Sequence, residues 1–152
     1  MWHSGVLNLT LFWRVWHYVP HFYYFYTQWL SMNRVTTRSW KVLCWNVRGL
    51  HSDARQRSLK EKVIESQCSV LCLQETKLSS CSRSIMKRIC PQGFDQFVES
   101  PSSGASGGLL TAWRSDMFRG TLLTVKPYAI VMHFTSVHNN EQWFLVNVYG
   151  PC

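Results

Sequence analysis

The feature that most constrains this chain is a short apolar run that stops at an acid. Residues 70–77 read V-L-C-L-Q-E-T-K. Four apolar residues in a row, with no polar alternation, suit a strand that meets apolar neighbours on both faces. Glu75 then stands at the end of that strand, with Lys77 two residues on. Residues 41–50, K-V-L-C-W-N-V-R-G-L, repeat the design and end in Asn46 and Arg48. Two buried strands with polar ends predict a sheet whose rim carries chemistry, because ligands of open α/β sheets bind beyond the strand ends.

Between these strands, residues 53–67 read as a helix. Leu59 and Val63 recur at i and i+4 with Ile64 beside them. Ser52 or Ser58 suits its cap, and Ser58 with Glu61 has capping-box spacing. Strand, helix, strand makes a βαβ-like unit. Ser79 or Ser80 suits the cap of a second helix running to about Cys90, with Ile85, Met86 and Ile89 inward and Pro91 and Gly93 ending it. Strand-like pieces follow at 94–99, 108–113, 121–125, 130–136 and 142–149. Residues 100–108, rich in Ser and Gly, read as a flexible loop, and 138–141 as a hairpin turn. The expected class is α/β, shading into α+β: a βαβ-like start followed by a meander.

Residues 1–38 differ in kind. They are crowded with aromatics and contain no acid. Their longest apolar stretch is too short for a membrane span, which needs about 20 residues, and shows no signal-peptide pattern. They read as a leader outside the domain, which occupies 39–152.

With 152 residues, one ordinary domain fits. The net charge of +8 favours a polyanionic partner, since surface cations gather phosphate; simple solubility explains it equally well. The six cysteines include no C-x-x-C pair, which speaks against a zinc site. Cys44 and Cys72 fall inside apolar strands, where thiols behave as small hydrophobes. Reduced thiols point to a nuclear or cytoplasmic setting, with no membrane partner.

Glu75 is the first candidate for chemistry. Hard divalent cations prefer carboxylate oxygen and keep several waters, so one or two carboxylates suffice. A helix cap or a surface acid beside Lys77 is the plainer alternative. Asn46 offers a donor to phosphate or an acceptor to a metal; it also suits an ordinary turn. Tyr149 ends the last strand, where its phenol suits a phosphate oxygen or simple packing. Arg48 and Lys77 suit a nucleic-acid backbone or mere solvation. None of the six histidines stands at a telling distance from an acid. The absence of Gly-x-Ser-x-Gly and H-E-x-x-H patterns counts against serine hydrolases and zincins.

Four ordered pieces, W-N-V-R-G-L (45–50), L-Q-E-T-K (73–77), S-G-G-L (106–109) and N-V-Y-G-P (147–151), resemble the endonuclease/exonuclease/phosphatase superfamily. The nearest resemblance is to endonuclease domains of plant LINE-type retrotransposons. It implies the N-terminal half of a two-sheet β-sandwich flanked by helices, truncated on the C-terminal side, in a family that hydrolyses phosphodiester bonds of DNA with Mg²⁺ or Mn²⁺. It also implies that Glu75 binds the metal, that Asn46 is the active-site asparagine and a further metal contact, and that Tyr149 meets phosphate. Arg48 stands where an aspartate is common in the family, and Cys152 where an asparagine is. The later Asp-x-Asn and Ser-Asp-His motifs do not occur in these residues. The expectation is therefore a fragment with little activity, against two alternatives: a non-catalytic nucleic-acid binder and a relic without a stable fold.

Overall fold

The computed structural model describes residues 23–25, 40–104 and 106–149. Strands β2 (Val42–Asn46) and β3 (Val70–Gln74) lie parallel, from Val42 opposite Val70 to Asn46 opposite Gln74. Residues 70–73 of β3 are all at 0% exposure. The unbroken apolar run is explained by two separate cores. Leu71 and Leu73 enter a cluster beneath the helices, while Val70 and Cys72 enter a cluster between two sheets.

Helix α1 (Asp53–Ser66) makes the crossover between β2 and β3. Ser52 caps it, its hydroxyl accepting from the Arg55 N–H, and Asp53 sits in the first turn, where the helix dipole favours an acid. Ser58 lies inside the helix and caps nothing. Leu59 and Val63 are buried as expected, but Ile64, about 100° further round, is 55% exposed. Gln67 ends the helix in a left-handed conformation. Helix α2 (Arg83–Ile89) is shorter than its sequence suggested. Its cap is Ser82, not Ser79 or Ser80, because Cys81 is buried in the preceding loop and the helix begins only beyond it.

The first sheet has the order β1-β2-β3-β5-β4. Residues 100–108 are mostly not a loop. β4 (Phe94–Ser103) and β5 (Ser106–Arg114) pair as far as Ser103 opposite Ser106. Pro101 is tolerated because β4 is an edge strand, where a missing N–H breaks no ladder. β1 (Tyr23–Phe25), from the aromatic stretch, pairs antiparallel along the other side of β2, with Tyr23 opposite Cys44. The rest of residues 1–38 lies outside the described residues.

The second sheet is an antiparallel meander of β6 (Phe118–Lys126), β7 (Ala129–Ser136) and β8 (Gln142–Val148). Along β7, inward Ile130, Met132 and Phe134 alternate with more exposed residues. β6 runs through Gly120, just outside the strand expected at 121–125. A side chain there would come within 2.7 Å of the Trp113 ring and 2.9 Å of Phe134, so only glycine lets the sheets close. Trp40 stacks on Trp143 at 4.5 Å in the same interface. The result is the expected α/β class, two sheets with helices over the outside of the first. No helix among the described residues is long and apolar enough to cross a membrane.

Candidate functional site at the strand ends

The β2 and β3 ladders do not stop where the strands do. The N–H of Val47 donates to Gln74 O at 3.0 Å, that of Gly49 to Glu75 O at 2.7 Å, and that of Leu50 to Thr76 O at 2.9 Å. On the other side, Thr76 and Lys77 donate to Gly108 O and Gly107 O, both at 3.1 Å. Three segments are thus zipped together beyond the sheet. The arrangement requires left-handed backbone at Arg48 (φ 51°), Glu75 (φ 51°) and Lys77 (φ 55°). Such conformations cost non-glycine residues of order 1–3 kcal/mol each and persist only where their surroundings over-determine them. Three of the five expected site residues carry this strain.

The side chains meet within that frame. Asn46 Nδ2 donates to Glu75 Oε1 at 2.7 Å, and the Arg48 N–H donates to Asn46 Oδ1 at 3.2 Å. Both ends of the amide are therefore held, and they hold the carboxylate. Arg55 Nη1 donates to Arg48 O at 2.7 Å, and Gln56 Nε2 to Leu50 O at 2.7 Å, so the first turns of α1 brace the 48–50 loop. Gly108 (φ 89°) has no room for a side chain, since a Cβ would collide with the Thr76 hydroxyl. Arg48 is exposed and Lys77 half-buried, so cations flank the Asn46–Glu75 pair on both loops.

Tyr149 reaches the same end of the sandwich through Asn147. Asn147 is 2% exposed and points inward from β8. Its Nδ2 donates to Leu110 O at 3.0 Å, Thr111 Oγ1 at 3.2 Å and Leu73 O at 3.3 Å, while its Oδ1 accepts from Gln74 Nε2 at 2.6 Å. This clamp joins β8 to β3 one residue before Glu75 and two before Tyr149. Tyr149 is half-buried against the core between the sheets, and its N–H donates to Tyr128 O at 3.0 Å.

The chain is 30% identical over 133 residues to a DNA-(apurinic or apyrimidinic site) endonuclease of Dictyostelium discoideum, covering 80% of this chain and 33% of the relative. The AP endonuclease LMAP from Leishmania major shares its fold at a TM-score of 0.56 and 22% identity, covering 72% of this chain and 40% of that one. The Xenopus laevis APE2 catalytic domain gives 0.50 at 18% identity, covering 73% and 45%. The two solved structures show a shared fold. The chain spans about a third of the curated relative's length and under half of each solved structure. No protein-family model matches the chain.

At the strand ends the donor chemistry fits one hard divalent cation. Among the described residues nothing bonds Glu75 Oε2, and no group of three or more His, Cys, Asp or Glu could form an all-protein cage. One carboxylate beside an amide suits an ion that keeps most of its water. Of the described histidines, His133 lies against Phe144 at 4.8 Å on the second sheet, while exposed His51 stands beside Gly49 of the site loop. The described cysteines are free thiols, buried except for half-buried Cys44. Cys72 is fully buried opposite Cys44, and that contact together with burial holds its thiol protonated far above the ordinary range. Burial pushes Cys81 up to about 12.

Asn147, Gln74 and Arg55 were not singled out from sequence. The signal for Asn147 was present: in W-F-L-V-N it occupies the inward phase shared by Trp143 and Leu145, where an apolar residue is expected. An amide at such a position must find buried partners.

Proposed function

We propose that this chain carries the glutamate-bearing part of a DNA phosphodiesterase site that uses Mg²⁺ or Mn²⁺. The observation that supports it is the 2.7 Å bond from Asn46 to Glu75, formed between two strand ends whose loops are held in strained backbone. Glu75 Oε2 would hold the ion, and Asn46 keeps the carboxylate turned to it. When bound, the ion supplies charge stabilisation to a phosphoryl oxygen and helps orient water. Arg48 and Lys77 gather the DNA backbone around the site, and the Tyr149 hydroxyl donates to a phosphate oxygen. The curated relative's name, an endonuclease at apurinic or apyrimidinic sites, makes abasic DNA the first substrate to try.

These 152 residues contain no Asp-x-Asn and no Ser-Asp-His, so the groups that would move protons are not among them. Proton transfer by positioned groups contributes factors of roughly 10²–10⁴, so this chain alone is expected to nick abasic duplex DNA little above background. Strong Mg²⁺-dependent nicking that vanishes in Glu75→Ala would confirm the site and overturn that expectation. The site itself is tested without turnover. Mn²⁺ should broaden the amide resonances of residues 46–50 and 74–77, and Glu75→Gln should abolish the broadening. Broadening centred elsewhere, or unchanged in the variant, refutes the reading. Descent from a plant LINE-type retrotransposon is the finer part of the proposal. It is supported by the N-V-Y-G-P and L-Q-E-T-K pieces and predicts a reverse-transcriptase frame in the flanking genomic DNA.

A further inference from the structure

On the helical face, Lys60 of α1, helix α2 and the start of β4 enclose a groove of about 400 Å³. None of its lining residues belongs to the 46–50 or 74–77 segments, so it is separate from the strand-end site. Its floor includes Met86, Phe94 and Phe97; the methionine is buried, and both phenylalanines are half-buried at the edge of the helix-side core. Its rim carries Lys60, Arg83 and Lys87 against a single acid, Asp95. Asp95 is already engaged: Oδ1 accepts from the Ser115 N–H at 3.0 Å and Oδ2 from the Ser115 hydroxyl at 2.6 Å. Lys60 Nζ donates to Lys87 O at 2.9 Å, which ties α1 to α2 and fixes that ammonium at the rim. Neither of the two ion pairs among the described residues involves a rim cation.

We propose that this groove binds one nucleotide of single-stranded nucleic acid, the phosphate on the Lys60, Arg83 and Lys87 rim and the base against Phe94 and Phe97. Cations beside aromatic faces are the combination that unpaired strands use, because every base has a π-face to stack. A duplex keeps those faces against neighbouring bases, so an aromatic floor selects an unstacked base. The volume lies near the lower end of the roughly 300–1,000 Å³ of small-ligand pockets, which suits one nucleotide. An acidic peptide would use the rim and leave the floor idle. The inference goes beyond the strand-end reading and shares with it only the polymer.

The test uses the whole chain and a short fluorescein-labelled oligothymidylate, read by anisotropy across a salt series. Arg83→Ala/Lys87→Ala, both at exposed positions, should weaken binding about tenfold at low salt. The slope of log K against log salt should flatten by up to about 0.7, the contribution of one single-strand phosphate contact. Phe97→Leu keeps apolar bulk and should weaken binding about fivefold with the slope unchanged. Photo-cross-linking with a bromodeoxyuridine oligonucleotide should label the peptide containing Phe94 and Phe97. Unchanged affinity in the double variant overturns the proposal. So does a response to the cations with none to Phe97→Leu, which marks a plain anion site, and so does labelling confined to residues 45–50 and 73–78. No readout depends on cleavage, so failure here leaves the strand-end reading standing, and the reverse holds too.

Discussion

The two sheets of this molecule are built to different rules. The first is enclosed on both faces: helices cover one side and the second sheet the other, and residues 70–73 have no exposed surface. The second is enclosed on one face only. Along β8, Phe144 is 68% exposed, Val146 57% and Val148 51%, while Asn147 between them is buried. His133 lies against Phe144, but among the described residues no further layer packs over those three side chains. Burial mirrors the contrast, unbroken along β3 and alternating along β7 and β8. The strained residues of the candidate site sit on the enclosed sheet. Left-handed backbone at Arg48, Glu75 and Lys77 needs neighbours that cannot yield, and a sheet packed on both sides supplies them.

That contrast can be broken by substitution, starting with the largest effect. Leu71→Ala removes a fully buried side chain and is expected to cost about 2–5 kcal/mol in urea denaturation. Val146→Ala, on the open face, should cost well under about 1 kcal/mol, and equal losses would mean the two sheets are not differently packed. Asn147→Leu tests the clamp between them. It strands the Gln74 amide and removes three donated bonds, so a loss of about 1–3 kcal/mol is expected, together with loss of any Mn²⁺ effect at Glu75. Gly108→Ala forces an L side chain onto positive φ and against the Thr76 hydroxyl; a loss of about 1–2 kcal/mol is expected, with amide shifts concentrated at residues 75–77. Phe144→Thr should change stability by no more than about 0.5 kcal/mol and lower self-association in sedimentation.

The smallest expected effect is one of pH. The Ser115 hydrogen bonds hold Asp95 below its usual value of 3.8. A lowered folded pKa means stability that is present above the unfolded pKa and lost as pH falls through the folded one. The stability difference between the protein and Ser115→Ala should therefore be constant near neutral pH and shrink only below about pH 4. Because Asp95 is exposed, that difference is small throughout. A difference that grows on acidification would reverse the assignment.

Much of this was readable in the residues. The Val-Leu-Cys-Leu run announced a strand buried on both faces, and the polar ends of β2 and β3 announced a rim carrying Asn46 and Glu75. The α1 span was visible because Ser52 and Asp53 start it and Leu59 and Val63 keep its phase. Residues 100–108 misled because Ser, Gly and Pro are punctuation in local terms. What turns most of them into strand is nonlocal: the Ser102 N–H donates to Leu78 O, and the Ser100 hydroxyl donates to Lys126 O. Gly120 falls outside the strand expected at 121–125 for a similar reason, since its partner rings lie on two other strands. The left-handed residues carry no local mark at all. Arg, Glu and Lys ordinarily avoid that region, and only the ladder beyond the strand ends imposes it.

The Asn147 clamp also sets an order in time. Its partner Gln74 is 73 positions away, and its contacts to Leu110 and Thr111 span 37 and 36. Closing loops of that length is slow compared with winding α1 or zipping the β4–β5 hairpin. As the chain emerges from a ribosome, β2, α1 and β3 can pair long before residue 147 exists. The glutamate is thus among the first groups to be placed in the sheet, and the lock beside it among the last to close.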